Sequence, residues 1–383
     1  MTQIGLLIPR SSMYSSINFD FLDGLKCSLA NCGIKDVEIK TAGIGVGGSD
    51  KDIYTACEKM LFEGVEFIAG YVNPNTAEMI QPLFVNSGAI FIALDAGYQI
   101  ARPEYKQQHI FTLSLDGTLG CKLMPKIAAE LGDKDFAYTS SFYDSGYRSA
   151  FGFFQGVNDI GSNIAFNHIT KLLKADFTLE PLTAFLKENP STAVMAAACG
   201  DMTLDLFGAM EAEEEYTRHH IYAAPFVAEE VWLAKAPYPG TDVNTVVAWA
   251  TGLDKPENKA FIAGMSSKKR VANVFSLLSW EAGILVAKAL EADDTADRIA
   301  LLENFSFTGP RGKITIDKDT HNSHGPLYAA TITENEANGM CILTPGAEVD
   351  AASITQERKE LDHEIAHLVG SVTSWFNVYG CLD

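Results

Sequence analysis

The chain has 383 residues, 47% of them hydrophobic, and carries a formal net charge of −20 at pH 7. This length predicts about two domains, each large enough to bury a core of its own. The acidic balance argues against nucleic acid and against an anionic membrane surface as partners, because both would repel the chain. The most apolar runs are as long as strands and fall short of the roughly 20 residues that cross a bilayer.

Seven cysteines are scattered along the sequence without a C-x-x-C pair, which excludes a zinc ribbon. We expect them to be reduced core residues, because cysteine packs as a small hydrophobic side chain. If the protein is exported, one disulfide of Cys57 with Cys27 or Cys32 is the alternative. The sequence opens directly on a strand without a signal peptide, so we expect either an intracellular protein or a mature exported chain.

The first third of the sequence alternates apolar runs with amphipathic segments. The predicted strands are QIGLLIP, VEIKTA, VEFIAGYV and AIFIALDAG, and the predicted helices between them are FDFLDGLKCSLANCG, SDKDIYTACEKMLFEG and NTAEMIQPLFVNSG. Ser49 fits a helix N-cap, and Gly33 and Gly64 fit helix ends. Because the strands are apolar on both faces, the pattern predicts a parallel sheet covered by helices on both sides.

A second α/β series follows after the strand HIFTLSLD. Its predicted strands are DFAYTSS, IAFNHIT, AVMAAACG, HHIYAAPF and VNTVVAWAT, and its predicted helices include GTLGCKLMPKIAAELG, YRSAFGFFQGVNDIG, FTLEPLTAFLKENP and MTLDLFGAMEAEEE. A long helix, VANVFSLLSWEAGILVAKALEA, comes later. No long linker separates the two series, which predicts two similar α/β lobes joined by short crossovers.

The segment from Phe305 to Ile332 has a different pattern. TGPRG predicts a tight turn, because Pro310 fixes φ and Gly309 and Gly312 tolerate positive φ. KITID alternates like a half-buried strand, DKDTH predicts a polar turn, and PLYAATI predicts a returning strand. We expect this antiparallel piece to lie where the chain crosses between the lobes.

Four stretches carry a resemblance to a known family. They are IGLLIP with its polar loop, DKDIYTACEKMLFEGVEFIAGYV, SFYDSGYRSAFGFFQGV, and SLLSWEAGILVAKAL with LLENFSFTGPRGKITIDKDTH. In this order, over residues 3–345, they resemble the type I periplasmic solute-binding proteins, the branch of the leucine/isoleucine/valine-binding proteins and their amide- and urea-binding relatives. Each motif is modest alone, and the four in register are fairly specific.

The resemblance implies an α/β fold of two Rossmann-like lobes joined by three crossovers that form a hinge. Residues 1–115 and 250–325 are then expected to form lobe 1. Residues 116–249 and 326–345 are expected to form lobe 2, and residues 346–383 a helical tail that packs on a lobe.

The function implied by the resemblance is non-enzymatic and needs no cofactor or metal. The protein would capture a small polar or amino-acid-like solute in the cleft between the lobes and deliver it to the membrane permease of an ABC-type uptake system. Ligand binding would favour the closed hinge. The implied location is periplasmic or extracellular, and we expect a monomer, with a dimer as the alternative. A sensory ligand-binding protein of the same fold stays open as a second hypothesis.

Candidate ligand-binding residues lie in loops at strand ends, where such folds bind small molecules. In lobe 1 they are Tyr14, Asn73, Asn75, Thr76, Asp95, Ala96 and Gly97. In lobe 2 they are Asp116, Tyr147, Cys199, Asp201, Phe226 and Trp249. Asp116 matches a family acid that helps to hold an ammonium group, and Tyr147 matches the family's cleft tyrosine. The structural alternatives are helix or turn capping for the polar residues and packing for the aromatic ones.

The candidate site departs from the pattern of the family's amino-acid binders. Pro74 and Gly97 stand where those proteins carry hydroxyl groups, and Phe226 follows Pro225 where they often carry an acid. These departures disfavour a standard branched-chain amino acid. The aromatic residues of the candidate set favour a ligand with an apolar or planar part.

Two motifs suggest enzymes. HEIAH, residues 363–367, matches the H-E-x-x-H zinc motif, but Thr373 stands where a third histidine would be expected. An apolar stripe that includes Leu361 and Ile365 predicts a packed helix whose histidines face solvent. A zinc peptidase using His363, Glu364 and His367 is kept as the enzymatic alternative. GIGVGG, residues 43–48, matches a dinucleotide motif, but it follows the second strand and predicts a flexible turn.

Overall fold

The computed structural model describes residues 1–46, 48–97, 107–142, 145–171, 173–303 and 305–368. The chain divides into two compact units. Unit 1 comprises Met1–Leu115, Leu253–Pro326 and Ile365–Asp383, and unit 2 comprises Asp116–Gly252 and Leu327–Glu364. Among the described residues, none of the helices combines the length and the apolarity needed to span a bilayer.

Unit 1 begins with an alternation of strands and helices. These elements are β1 (Thr2–Arg10), α1 (Ile17–Asn31), β2 (Val37–Val46), α2 (Asp50–Phe62), β3 (Phe67–Tyr71), α3 (Pro74–Ser87), β4 (Ile90–Asp95) and β5 (Ile110–Ser114). The strands form one parallel sheet in the order β2-β1-β3-β4-β5. Every residue of β3 and β4 is buried, as the continuous apolar runs predict for a sheet covered on both faces.

Unit 2 starts with α4 and repeats this alternation. Its elements are α4 (Gly117–Glu130), β6 (Asp135–Ser140), α5 (Ser145–Asp159), β7 (Ile164–Ile169), α6 (Glu180–Glu188), β8 (Thr192–Ala197), α7 (Met202–Glu211), β9 (Ile221–Ala223), α8 (Glu230–Leu233) and β10 (Val243–Val247). The parallel strands lie in the order β7-β6-β8-β9-β10. This is the strand order of unit 1, so the two units share one doubly wound topology.

The remaining elements return to unit 1 and then complete unit 2. They are α9 (Pro256–Ser267), α10 (Val274–Ala289), α11 (Thr295–Leu302), β11 (Ser306–Gly309), β12 (Gly312–Ile316), β13 (Ser323–His324), β14 (Tyr328–Asn335), β15 (Met340–Glu348) and α12 (Ala351–Leu368). Strands β14 and β15 add an antiparallel edge to the unit 2 sheet beside β10.

The predicted TGPRG turn is confirmed. Gly309 pairs with Gly312 across a two-residue hairpin loop, and β12 alternates buried and more exposed residues. Arg311 in the loop is fully buried and forms a bidentate ion pair with Glu281 of α10, with N–O distances of 2.9 and 3.0 Å. The predicted return strand PLYAATI does not pair with KITID. It forms β14 in the unit 2 sheet, and β12 pairs instead with the short β13.

Two other expectations need correction. Residues 43–46 of GIGVGG extend β2 as far as Val46, which pairs with Arg10, because the long β1 continues to offer hydrogen-bond partners there. Gly47 lies outside the described residues. The helices α9 and α11 were not predicted, although Pro256 opens the first and Asp294 caps the second by accepting a hydrogen bond from the Asp297 N–H.

The cysteines partly follow the expectation. The thiols of Cys27, Cys32, Cys57, Cys121 and Cys341 are free, so the suggested disulfide of Cys57 with Cys27 or Cys32 is wrong. Burial raises the pKa of the Cys57 and Cys121 thiols to about 12, as expected for inert core residues. Cys32 is exposed instead of belonging to the core. Cys199 is disulfide-bonded, contrary to the expectation that it is reduced.

Candidate functional site

The shared strand order defines where each unit can hold a ligand. In a doubly wound sheet the crevice lies beyond the carboxyl ends of the strands, at the point where the strand order reverses. In unit 1 this point falls between β1 and β3, and in unit 2 it falls between β6 and β8. We call these regions the unit 1 edge and the unit 2 edge, meaning the loops that follow the parallel strands of each sheet.

On the unit 1 edge, Asn73 and Thr76 follow β3 at the start of α3. The Asn73 side chain accepts a hydrogen bond from the Thr76 N–H at 2.9 Å and caps the helix. The Thr76 hydroxyl donates to Asp50 at the start of α2 over 2.5 Å. Asn75 is partly exposed on the same turn. The capping alternative is therefore confirmed for Asn73, and a ligand contact of Asn75 stays a prediction.

Asp95 ends β4 and is buried with its carboxylate hydrogen-bonded. It accepts from the Gly97 N–H at 2.9 Å and from the Ser114 hydroxyl at 2.6 Å. Gly97 has φ of 100°, a left-handed conformation that glycine adopts without strain. Ala96 between them is buried. Asp95 thus joins the ends of β4 and β5 and shapes the loop, which confirms the turn-capping alternative.

Tyr14 lies in the loop after β1 and is buried. Its ring packs edge-on against Phe275, with ring centroids 4.8 Å apart, in a group that includes Tyr71. The loop is fixed by a hydrogen bond of 2.9 Å from the Tyr14 N–H to the Ser11 hydroxyl. The packing role is therefore present, and a ligand contact of this ring stays a prediction.

On the unit 2 edge, the first turn of α4 packs against the ends of the sheet strands. A Cβ atom on Gly120 would lie only 2.9 Å from the Val246 carbonyl oxygen and 3.5 Å from Pro225, so only glycine fits this close approach. Val246 is near the carboxyl end of β10 and Pro225 follows β9. The N-terminus of α4 therefore lies at the unit 2 edge.

Asp116 precedes α4 and does not cap it. Its backbone is left-handed, with φ of 51°, and its side chain makes no capping hydrogen bond. Instead the carboxylate forms a bidentate ion pair with Arg358 of α12, at N–O distances of 2.9 and 2.8 Å. Burial lowers the pKa of Arg358, but attraction and hydrogen bonding to Asp116, with attraction to Asp362, together hold the pKa above its ordinary value. The acid expected to hold a ligand ammonium is thus paired within the chain, and its expected role as an N-cap is wrong.

The helix α12 is anchored firmly on unit 2. Ile354 and Leu361 are buried, and Glu357 is buried in ion pairs with Lys122 and Lys126 of α4. Burial lowers the pKa of Lys122, but its hydrogen bonds to Asp159 and Glu357 outweigh burial and raise it. These contacts fix α12 on unit 2 and hold Arg358 beside Asp116.

Three acids, two on α12 and one at the end of α5, form a group that could hold a metal ion. Carboxylate oxygens of Asp159, Glu357 and Glu360 lie within 4.8 Å of one another. The Lys122 ammonium contacts all three and supplies the positive charge at their centre. The cluster is therefore an ion-pair network.

The remaining candidates of unit 2 differ in accessibility. Cys199 is buried and disulfide-bonded, so its thiol is not available to a ligand. Asp201 is half-buried, with 42% of its side chain exposed, and pairs with Lys174 at 2.7 Å. Phe226 and Trp249, which follow β9 and β10, are both buried, as their packing alternative predicts. Tyr147 belongs to α5, and its side chain lies outside the described part of the structure.

The sequence analysis missed three exposed apolar residues at the unit 2 edge. Phe142 follows β6, Ile169 ends β7, and Leu173 follows β7. A hydrogen bond of 3.2 Å from the Phe142 N–H to the Thr170 hydroxyl joins the two loops. Exposed apolar side chains grouped on one edge are a signature of ligand or partner contact. Their position at the ends of predicted strands is the sequence signal that could have identified them.

The HEIAH motif lies on α12 as predicted. Leu361 and Ile365 are buried, whereas His363 and Glu364 are exposed. The side chain of His367 lies outside the described residues. The solvent-facing interpretation is confirmed for the described part of the motif.

The repeated topology defines a class of ligand-binding α/β proteins with two related units. A family model described as a periplasmic binding protein matches residues 2–338. The chain belongs to this family, whose members bind solutes and form a non-enzymatic class. No curated protein matches the sequence.

Solved structures with the same fold span nearly all of this chain. One is an ABC transporter substrate-binding protein from Sphaerobacter thermophilus, with 15% identity and a TM-score of 0.79 over 91% of this chain and 97% of that chain. A second is a solute-binding protein of an ABC transporter from Rhodopseudomonas palustris BisB5 in complex with 3,4-dihydroxybenzoic acid, with 16% identity and a TM-score of 0.74 over 91% and 97%. A third is a leucine-, isoleucine-, valine-, threonine- and alanine-binding protein from Brucella ovis, with 12% identity and a TM-score of 0.73 over 91% and 95%.

Proposed function

We propose that this chain is the solute-binding component of an ABC-type uptake system and binds a small carboxylate with an apolar part. The observation that carries this proposal is the match of the periplasmic binding protein model to residues 2–338. The candidate contacts on unit 1 are Asn75 and Gly97, and the candidate contact on unit 2 is Tyr147. Closure of the lobes around the ligand, which the sequence resemblance implies, stays a prediction.

The ligand class is supported from two directions. The ligands in the names of the similar structures are benzoates and amino acids, and both kinds carry a carboxylate. Exposed Phe142, Ile169 and Leu173 at the unit 2 edge offer an apolar surface to such a molecule. Backbone N–H groups at helix starts on both edges suit the carboxylate.

The partner and the location follow from the same proposal. The loaded protein would deliver its solute to a membrane permease, act in the periplasm or outside the cell, and work as a monomer. The disulfide at Cys199 supports an oxidising compartment, because disulfides persist there and are reduced in most cytosols.

A panel of solutes tests the proposal by thermal shift and then by calorimetric titration. The panel holds benzoate, 4-hydroxybenzoate, branched aliphatic acids, amino acids, amides, sugars and polyols. We expect at least one carboxylate to bind with a dissociation constant in the micromolar range or below, about 8 kcal/mol. Binding of only sugars or polyols, or of none of the panel, would contradict the proposal.

A matched pair of variants locates the site. Phe142→Ala removes an exposed ring at the unit 2 edge and should weaken carboxylate binding about tenfold, because contact with its apolar surface is lost. Phe62→Ala removes a still more exposed ring at the end of α2, away from the strand ends, and should leave the affinity unchanged. Equal effects of the two variants would rule out the unit 2 edge as the contact.

A further inference from the structure

We infer that Arg358 determines specificity at the unit 2 edge: by pairing with Asp116 it makes this edge select carboxylates that lack an ammonium group. The inference rests on the proposed function and narrows its ligand class. Arg358 lies beyond the residues that the family model matches, which end at 338. It is brought to the edge by α12.

An ammonium group needs an anionic or carbonyl acceptor, and the candidate acids Asp116, Asp95 and Asp201 are each already engaged within their own unit. Both oxygens of Asp116 accept from Arg358, at 2.9 and 2.8 Å. Asp95 accepts from the Gly97 N–H and the Ser114 hydroxyl, and Asp201 pairs with Lys174. A cationic ligand would have to displace a bidentate guanidinium, the partner that matches a carboxylate best.

Arg358 cannot turn away easily, because its helix is fixed on unit 2. Glu357, the preceding residue, is buried against Lys122 and Lys126, and Ile354 and Leu361 pack on the same side. The guanidinium is itself largely covered, with 16% of its side chain exposed. The Asp116–Arg358 ion pair is therefore a fixed structural element of unit 2.

The same place offers donors to an anion. The backbone N–H groups of the first turn of α4 point toward the edge, and the helix dipole favours negative charge there. Thr118 in this turn is buried, and within the described residues its hydroxyl has no hydrogen-bond partner. The Cα–Cβ bond of a helical residue tilts toward the helix N-terminus, which inclines the Thr118 side chain toward the start of α4. A neutral ion pair beside a helix N-terminus and the Thr118 hydroxyl suits a carboxylate, and the paired Asp116 no longer offers a free acceptor to an ammonium group.

Pairs of probes that differ only in the ammonium group test the inference. They are 4-methylpentanoate with leucine and 3-phenylpropanoate with phenylalanine, titrated calorimetrically into the full chain. In whichever pair binds, the wild-type protein should bind the acid that lacks the ammonium group at least tenfold more tightly than the matching amino acid. Arg358→Met should free the Asp116 carboxylate and reduce that preference tenfold or more. Lys359→Met removes the same charge from an exposed position on the same helix and should leave the preference unchanged.

Two further variants keep the inference testable if Arg358→Met does not fold. Arg358→Gln keeps a polar side chain and should shift the preference in the same direction as Arg358→Met. Thr118→Val should weaken binding of the carboxylate about fivefold without lowering the melting temperature, because the hydroxyl makes no bond within the described fold. A purely structural threonine would change the melting temperature and leave the affinity intact.

The outcomes separate this inference from the proposed function. A wild-type preference for leucine or phenylalanine overturns the inference and leaves the solute-binding proposal standing. An unchanged preference in folded Arg358 variants also overturns it. If the wild-type protein binds neither these probes nor any solute of the wider panel, both proposals fail.

Discussion

Unit 1 and unit 2 each hold an arginine in a bidentate ion pair with a carboxylate, and the two pairs differ mainly in burial. Arg311 and Glu281 in unit 1 lie 2.9 and 3.0 Å apart with no exposed side-chain surface. Arg358 and Asp116 in unit 2 have the same geometry, with 16% and 11% of their side chains exposed. One pair is sealed in a core and the other borders a candidate ligand edge.

The pKa directions show what this difference does. Burial raises the pKa of Glu281, and attraction to Arg311 does not offset it. Burial lowers the pKa of Arg358, but attraction and hydrogen bonding to Asp116 together with attraction to Asp362 outweigh burial and raise this pKa. The Glu281 carboxyl of the unit 1 pair therefore keeps a net desolvation penalty, whereas the Arg358 guanidinium of the unit 2 pair does not. The same side chains serve structure in one place and remain near enough to solvent for recognition in the other.

The largest effect is expected from breaking the unit 1 pair. Arg311→Met leaves the Glu281 carboxylate buried without its partner and should lower the free energy of unfolding by about 3–5 kcal/mol. Urea unfolding followed by circular dichroism measures this loss. Arg218→Met, in a pair whose arginine is 62% exposed, is the control and should lose less than about 1 kcal/mol. A loss below about 1 kcal/mol for Arg311→Met would show that burial does not distinguish the pairs.

A smaller stability effect is expected from the unit 2 pair. Arg358→Met should lower the free energy of unfolding by roughly 1–3 kcal/mol, because water can solvate the released Asp116 in part. A double-mutant cycle with Asp116→Asn isolates the coupling between the two side chains. Lys359→Met on the exposed side of α12 is the matched control. A coupling as large as the whole loss at Arg311 would contradict the comparison.

The two pairs also show what the sequence could and could not predict. The alternation of apolar runs predicted the two α/β series, and Gly309 with Gly312 predicted the hairpin, because both signals are local. Neither ion pair has a local signal, since Arg358 and Asp116 are separated by most of unit 2 in sequence. Arg311 was assigned only a turn position, although it is fully buried.

The candidate site was predicted less well than the fold for a related reason. Position at a strand end could be predicted for Asp95 and Asn73, but their hydrogen bonds to the Gly97 and Thr76 N–H groups depend on loop geometry. The exposure of Phe142 and Ile169 depends on how neighbouring strand ends are covered, which no periodic pattern encodes. Burial and partner choice at an edge are tertiary properties.

A titrating group offers a third test of burial as the dominant cause. Burial lowers the pKa of His168 from its ordinary value of 6.5, and Lys171 adds to the effect. The unfolded chain therefore binds this proton at higher pH than the folded chain. The stability contributed by neutral His168 is present above pH 6.5 and is lost as the pH falls through the lowered folded pKa.

His168→Gln should accordingly make the melting temperature less sensitive to pH between 7.5 and 5 than it is in the wild-type protein. Differential scanning calorimetry at several pH values gives both slopes. His363→Gln, at an exposed histidine on α12, should leave the wild-type slope unchanged. If His168→Gln steepened the slope, the sign of the burial effect would be wrong.

The smallest effect on the free energy of unfolding is expected for an ion pair with a short distance between its atoms but highly exposed side chains. Lys174 and Asp201 lie 2.7 Å apart, as close as the arginine pairs, but 51% and 42% of their side chains are exposed. Lys174→Met should change the free energy of unfolding by less than about 1 kcal/mol, because solvent and salt screen the attraction. Unfolding in urea should give a small difference at low salt that shrinks toward zero at 1 M salt. If Lys174→Met cost as much as Arg358→Met, distance and not burial would set the strength of these pairs, and the distinction between the two arginines would lose its physical basis.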